Sequence, residues 1–377
     1  MARPYDVAVV GLGATGSQAL LALARRGLRV VGLDRFAPPH AHGSSHGRSR
    51  IIRQAYYESP AYVPLVRDAW DRWVALAHDT GQPLLEQTGG LMLGHAAGTL
   101  VAGAEASARA HGLAHERLRA AELRRRFPQF QVGDAIEGLH EPLAGILDPE
   151  ACIAGALGLA AAAGATILPE CPLTSIGNEP GVLRLATPSG PLEAERVILA
   201  AGAWMPRLVR GTVPLAVERQ VMWWFRPRHA ETWRAGTAPV FLWEWEPGRY
   251  FYGIPDQGAG VKVAHHHEGR LTDADAVERT IAPEERADIR DLAARHLAGL
   301  GPDPADAVTC LYTTTPDHDF VLGPVPDEPR VLLASACSGH GFKFAPTLGE
   351  VLARLACGES AGFDLAPFAP ARFLPRR

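Results

Sequence analysis

Asp6-Val7-Ala8-Val9-Val10-Gly11-Leu12-Gly13-Ala14-Thr15-Gly16 passes from a short apolar, β-branched run into three glycines. Such a run, bounded by glycine, reads as a strand of a parallel sheet with both faces covered. The glycines fit three separate needs: a tight turn at Gly11, close approach of a phosphate to the backbone at Gly13, and close packing of a helix on the strand at Gly16. A helix over 17–26 follows, with Leu20, Leu21, Leu23 and Ala24 at helical spacing, then a second strand, Val30-Val31-Gly32-Leu33. The helix N-terminus, with Ala14 and Thr15, offers unpaired N–H groups to a pyrophosphate. Asp34 closes the second strand, where a carboxylate accepts from ribose hydroxyls. The unit predicts an adenosine dinucleotide and leaves NAD and FAD open, because both carry the same ADP half.

Outward from this unit the chain alternates between two styles. Residues 38–50, rich in Pro, His, Gly and Ser, read as a functional surface loop, and 62–78 as a helix. Between 88 and 145, short strands such as Leu91-Met92-Leu93 mix with an Arg-rich helix around 121–127, which marks a separate lobe. A helix over 149–163, the strand Thr166-Ile167-Leu168 and a buried strand over 197–202 return to the first style. From 215 to about 305, aromatic strands and a charged helix over 283–300 fit a sheet with one solvent-facing side. A strand over 331–336, the Gly339-His340-Gly341 loop and a helix over 345–355 rejoin the first unit. The expected class is α/β, α+β overall: a Rossmann-like dinucleotide-binding domain (1–87, 146–212 and 306–377) interleaved with a substrate domain (88–145 and 213–305) on a mostly antiparallel sheet.

The formal charge of the 377 residues is −4, with no run of like charges, so no field favours nucleic acid. The start, Met1-Ala2-Arg3-Pro4-Tyr5, lacks the pattern of a secretory signal, and apolar stretches such as 153–165 are too short to span a bilayer. The expectation is a cytoplasmic protein that acts on small molecules, without nucleic-acid or membrane partners. Five cysteines, with no Cys-x-x-Cys pair, argue against a disulfide framework, and each reads first as a small buried hydrophobe.

Four longer motifs narrow the choice. They are Gly43-Ser44-Ser45-His46-Gly47-Arg48-Ser49-Arg50-Ile51-Ile52-Arg53, Tyr252-Gly253 with Gly260-Val261-Lys262, Cys310-Leu311-Tyr312-Thr313, and Ser338-Gly339-His340-Gly341-Phe342-Lys343-Phe344. In these motifs and their order the chain resembles, essentially end to end, the monomeric sarcosine oxidase and N-methyltryptophan oxidase family of flavin amine oxidases. The resemblance implies FAD, joined through a Cys310 thioether to the flavin 8α-methyl. It implies that Lys262 lies beside flavin N5 through a water and supports reaction with oxygen, where an ammonium stabilises charge that develops only as oxygen is reduced. Arg53 and Lys343 match residues that grip a substrate carboxylate, the guanidinium by two parallel hydrogen bonds and the ammonium as a point charge. Arg50 matches a flavin-face arginine, His46 and His266 polar groups near the ring or substrate, and Tyr252 and Tyr312 the lining of the substrate cavity. Ser44 and the backbone of Gly339, Gly341, Phe342 and Lys343 complete the cofactor site, their N–H groups facing the negative end of the reduced ring. Without the resemblance, Arg48, Arg50 and Arg53 read as a solvated basic loop, and the tyrosines as core residues.

Two departures from the family pattern stand out. Ser45 precedes His46 where paired histidines are common, and Trp223-Trp224 with Leu242-Trp243-Glu244-Trp245 make an aromatic region expected to border the pocket, Glu244 adding a negative charge. His265-His266-His267 is not read as a metal site, because strand alternation turns His266 away from the other two. The expected function is oxidation of a secondary amine, sarcosine or another N-methyl amino acid, by oxygen to an imine and then aldehyde and amine, with release of hydrogen peroxide, by a monomer. The alternatives are a bulkier or cyclic amine (pipecolate, a fructosyl amino acid, a biosynthetic intermediate), a flavin-binding protein without oxidase activity, and an NAD-dependent dehydrogenase.

Overall fold

A computed structural model describes residues 3–209 and 211–374. The opening motif forms the strand Tyr5–Val10, a turn with Gly11 at φ +90°, and a helix Ala14–Ala24. The helix begins inside the glycine motif, three residues before the leucine pattern announces it. Side chains at Gly11 and Gly16 are sterically impossible: a Cβ on the first would lie 2.5 Å from the Ala200 carbonyl oxygen, and on the second 1.8 Å from that of Gly11.

Parallel strands run in the order Glu328–Ser335, Leu192–Leu199, Tyr5–Val10, Val30–Leu33, Thr166–Leu168, with Val9 level with Gly32 on one side and Ile198 on the other. A hairpin, Ser175–Glu179 with Val182–Ala186, and the strand Val321–Val325 extend this sheet antiparallel. On one face the helix Ala14–Ala24 lies against Pro149–Ala162 and Ala345–Ala356, burying Leu20, Leu23, Ile153, Leu348 and Leu352. The other face is covered by Met205, Val209 and Val213. With both faces buried, the continuous apolar run of the sequence is explained: each fully buried Val or Leu contributes roughly 1.5–3 kcal/mol.

The second sheet is ordered Arg270–Leu271, Ala216–Phe225, Val261–His266, Arg249–Ile254, Val240–Glu246, Gly90–His95, Ile136–Glu141, Glu116–Arg119. Its pairs are antiparallel except Val240–Glu246 with Gly90–His95. Its outer face packs Trp223, Trp243 and Phe251 against Ile289 and Leu292 of the helix Pro283–His296. The strand Asp306–Thr314, assigned from sequence to the dinucleotide-binding domain, pairs along Ala216–Phe225 and so joins this sheet. A small third sheet (Arg50–Ile52, Gly145–Leu147, Leu85–Gln87) lies at the junction. Among the described residues no helix is long and apolar enough to cross a membrane.

Candidate active site

A cavity of ≈ 640 Å³ opens at the carboxyl ends of the parallel strands and continues to the inner face of the second sheet. Such strand ends are where open α/β sheets bind ligands. Gly11, Gly13, Ala14, Thr15 and Asp34 line one part of it; Ser44, Arg50, Arg53, Tyr252, His266, Cys310, Tyr312, Gly339, Gly341, Phe342 and Lys343 line the rest. Three of the expected site residues, Gly16, His46 and Lys262, are not in its wall. Gly16 acts in packing, as its Cβ contact requires.

The wall fits an FAD. A Cβ on Gly13 would find only Ser45 Oγ, at 3.6 Å, so the space before this residue is open where that before Gly11 and Gly16 is not. Asp34 is buried with both oxygens engaged, Oδ2 accepting from Leu12 N–H (2.7 Å) and Oδ1 from Phe36 N–H (2.8 Å), so it fastens the glycine loop as well as facing the cavity. Ser44 and Ser335, both cavity-lining, hold hydroxyls with no partner among the described residues. An unmet buried hydroxyl costs about 1–3 kcal/mol, and a polar ligand in the cavity relieves that cost. Gly339 to Lys343 lead through the short turn Phe342–Phe344 into the helix Ala345–Ala356, presenting its N-terminal end to the cavity.

The loop 43–50 is shaped by two side chains behind it, one half-buried and one buried. Glu150 accepts from Gly47 N–H (2.7 Å), and Lys262 Nζ donates to the carbonyls of Gly47 (2.6 Å) and Ser49 (2.8 Å), its ammonium 5.2 Å from the Trp224 ring centre. Burial, and then Arg50, push the Lys262 pKa well down. Arg50 donates to the carbonyls of Ser49 and Ser44 (both 2.7 Å) and reaches Cys310 Sγ at 3.6 Å. His46 is buried, its Nε2 is unpartnered, and burial lowers it to about 3, so it is neutral at any working pH.

Farther along, the cavity is cationic. Arg53 is 5% exposed and stacked over Tyr56, its Nη2 donating to both oxygens of Glu58 (2.6 and 2.9 Å). Lys343 Nζ donates to the His340 carbonyl (2.6 Å) and lies 3.4 Å from Tyr56 Oη; burial, then Arg53, lower it to about 7. His340 Nε2 faces the His318 carbonyl, so it carries the proton, and Nδ1 accepts from Tyr56 O–H (2.7 Å). Tyr312 Oη lies 3.4 Å from His266 Nδ1, and burial pushes Tyr252 up to about 12, so both phenols stay protonated donors. Tyr56, Glu58 and His340 were not singled out as site side chains. Glu58 follows Arg53 by five residues, but nothing in the spacing says that the intervening irregular loop doubles back.

The tryptophan expectation is corrected. Alternation along Val240–Glu246 faces Leu242 to the cavity and sends Trp243 into the outer core with Trp223; neither lines the pocket, and nor do Trp224 and Trp245. Glu244 does not charge the pocket either. Its carboxylate accepts from Leu100 N–H (3.0 Å), Thr99 O–H (3.0 Å) and Gly248 N–H (3.2 Å), capping the helix Thr99–Ala110, because a buried carboxylate is stable only where donors converge. The histidine triplet also departs from simple alternation. His265 turns out to Asp288, but His267 leaves the strand at φ +64° and brings its ring 4.0 Å from that of His266. Among the described residues no three His, Cys, Asp or Glu side chains are grouped to hold a metal ion.

A dinucleotide cradle at the strand ends, continuous with a cationic pocket under a second, mainly antiparallel sheet, defines a flavin-dependent oxidoreductase. The family model for FAD dependent oxidoreductases matches residues 6–355, and the chain belongs to that family. It is 38% identical to monomeric sarcosine oxidase of Streptomyces avermitilis, over 99% of this chain and 98% of that one. It is 34% identical to N-methyl-L-tryptophan oxidase of Yersinia pestis, over 98% and 99%. Among solved structures, the open form of NikD, described as an unusual amino acid oxidase essential for nikkomycin biosynthesis, superposes with a TM-score of 0.85 at 25% identity, covering 98% of both chains.

Proposed function

We propose that the protein oxidises a secondary amine bearing a carboxylate, an N-methyl amino acid such as sarcosine, with oxygen as acceptor, to an imine that water converts to aldehyde and amine, with release of hydrogen peroxide. One observation carries this reading: Arg53 and Lys343, two buried cations, line the same cavity as Cys310 and Arg50. On the same reading the FAD is attached covalently at Cys310, and the chain works as a cytoplasmic monomer.

When bound, the isoalloxazine supplies the two-electron acceptor. The protein's part is positional and electrostatic. Arg53 exchanges the contact of its Nη2 with Glu58 for the substrate carboxylate, and Lys343 adds a second cation. The phenols of Tyr252 and Tyr312 line the substrate side, and the helix N-terminus following Gly341 stabilises negative charge at the cofactor. Lys262, held behind the loop on the carbonyls of Gly47 and Ser49 and beside Arg50, is the residue we assign to the reaction with oxygen. Apolar Met92, Leu242 and Ile254 stand in the same wall, where they would meet the apolar part of a bound amine.

Purified protein is expected to be yellow, to bleach anaerobically with a carboxylate-bearing secondary amine and to produce peroxide in air. A panel of sarcosine, N-methylated apolar amino acids and cyclic imino acids ranks the substrates. A yellow protein that no such amine bleaches refutes the enzymatic reading. Acid precipitation is expected to leave flavin fluorescence on the polypeptide and Cys310→Ser to release it; free flavin from the wild type refutes the linkage.

A further inference from the structure

Arg53 sits in an irregular segment, residues 53–59, that belongs to no sheet. Its neighbours Gln54 and Ala55 point their backbone N–H groups at one atom: Oε2 of Glu141, at 3.0 and 2.9 Å. Glu141 ends the strand Ile136–Glu141, which belongs to the second sheet and pairs with Gly90 in the cavity wall. The carboxylate is 1% exposed, and its other oxygen, Oε1, has no partner among the described residues. The segment it fastens carries Arg53, whose Nη1 in turn donates to the Ala55 carbonyl (3.2 Å), then Tyr56, which meets Lys343 and His340, then Glu58.

A buried carboxyl group kept with one oxygen unmet is costly, and burial raises this one to about 7 against the pull of the two N–H groups and Arg53. A strand end needing only a filler would carry an apolar side chain. The position serves the two N–H groups instead. We propose that Glu141 is a positioning residue for carboxylate recognition: reaching across from the second sheet, it holds the backbone after Arg53 so that the guanidinium, stacked on Tyr56, meets the substrate carboxylate in register. This rests on the reading of Arg53 and Lys343 as the carboxylate site.

The test uses flavin-loaded protein and two ligands that cannot be oxidised as amines, (methylthio)acetate and its amide, titrated by the change in flavin absorbance. Glu141→Leu removes the acceptor, and its Kd for the acid is expected to rise about tenfold or more, with the Kd for the amide changed less than about twofold. Glu141→Gln keeps an acceptor oxygen and is expected to hold both values within about threefold of wild type. Equal losses for acid and amide in the leucine variant, or no loss in it, overturn the proposal. Should the leucine variant not fold, hydrogen exchange in the wild type decides: the Gln54 and Ala55 amides are expected to be protected at least about a hundredfold, and exchange at open-chain rates overturns the anchor. If neither ligand perturbs the wild-type flavin, the substrate reading fails, while the exchange result still judges the anchor.

Discussion

Replacing Lys343 with methionine removes the ammonium while keeping the length of the side chain. In the free pocket this amine titrates near 7, because burial and Arg53 disfavour its charge. At pH 6 about nine molecules in ten carry the ammonium, and at pH 8 about one in ten. A ligand carboxylate opposite Lys343 selects the charged form, so its Kd in the wild type is expected to rise about tenfold from pH 6 to pH 8. In the variant that rise disappears. The lost charge-assisted hydrogen bond, worth about 1.5–3 kcal/mol, weakens binding at pH 6 by roughly 10- to 150-fold, and the gap narrows about tenfold by pH 8. His46, His266 and His340, all lowered by burial, stay neutral over this range, and Glu141, near 7, is common to both proteins and cancels in the comparison. Titration of flavin absorbance with (methylthio)acetate at half-unit pH steps measures the two curves. Parallel curves for wild type and Lys343→Met refute the assignment of Lys343 to the carboxylate. Stability moves the other way. A lysine whose pKa falls on folding contributes fully above its unfolded value and loses that contribution as pH drops through about 7, so the variant is expected to melt higher than wild type at pH 6.

Two further outcomes follow from the same geometry. Gly16→Ala, with its Cβ 1.8 Å from the Gly11 oxygen, is expected to abolish soluble folded protein, whereas Gly13→Ala, with open space before it, keeps its melting temperature within about 2 °C and loses flavin, read as the ratio of 450 to 280 nm absorbance. Glu244→Gln leaves three donors with a weaker acceptor, and is expected to lower stability by about 1–3 kcal/mol in chemical denaturation with kcat and KM unchanged. A KM shift without a stability loss contradicts its role as a cap.

Elements with a strong local signal were legible in the sequence. The Tyr5–Val10 strand, its glycine turn and the helix after it follow from β-branching, φ and helical spacing, all local properties. Cys310, Arg53 and Lys343 were reached through long motifs, and the structure gathers them from chain positions far apart. What stayed hidden was partnership. Nothing near Glu58 or Glu141 announces Arg53 or its backbone as the target, and Glu244 reads as a pocket charge until the N-terminus of a helix that begins at Thr99 is laid beside it. The tryptophans misled for a related reason. Aromatic density reports burial, while the parity of a residue along its strand decides which face it enters, and that parity is fixed only when the sheet is assembled.

The cavity wall draws on the first turn of the chain, the 43–53 loop, the middle strands and the Cys337–Lys343 approach to the last long helix. A nascent chain therefore has no complete flavin seat until nearly all of it has been synthesised and both sheets have met. Yellow colour then becomes a maturation signal: fragments and half-folded chains are expected to be colourless, and absorbance at 450 nm per polypeptide reports how many molecules have finished folding.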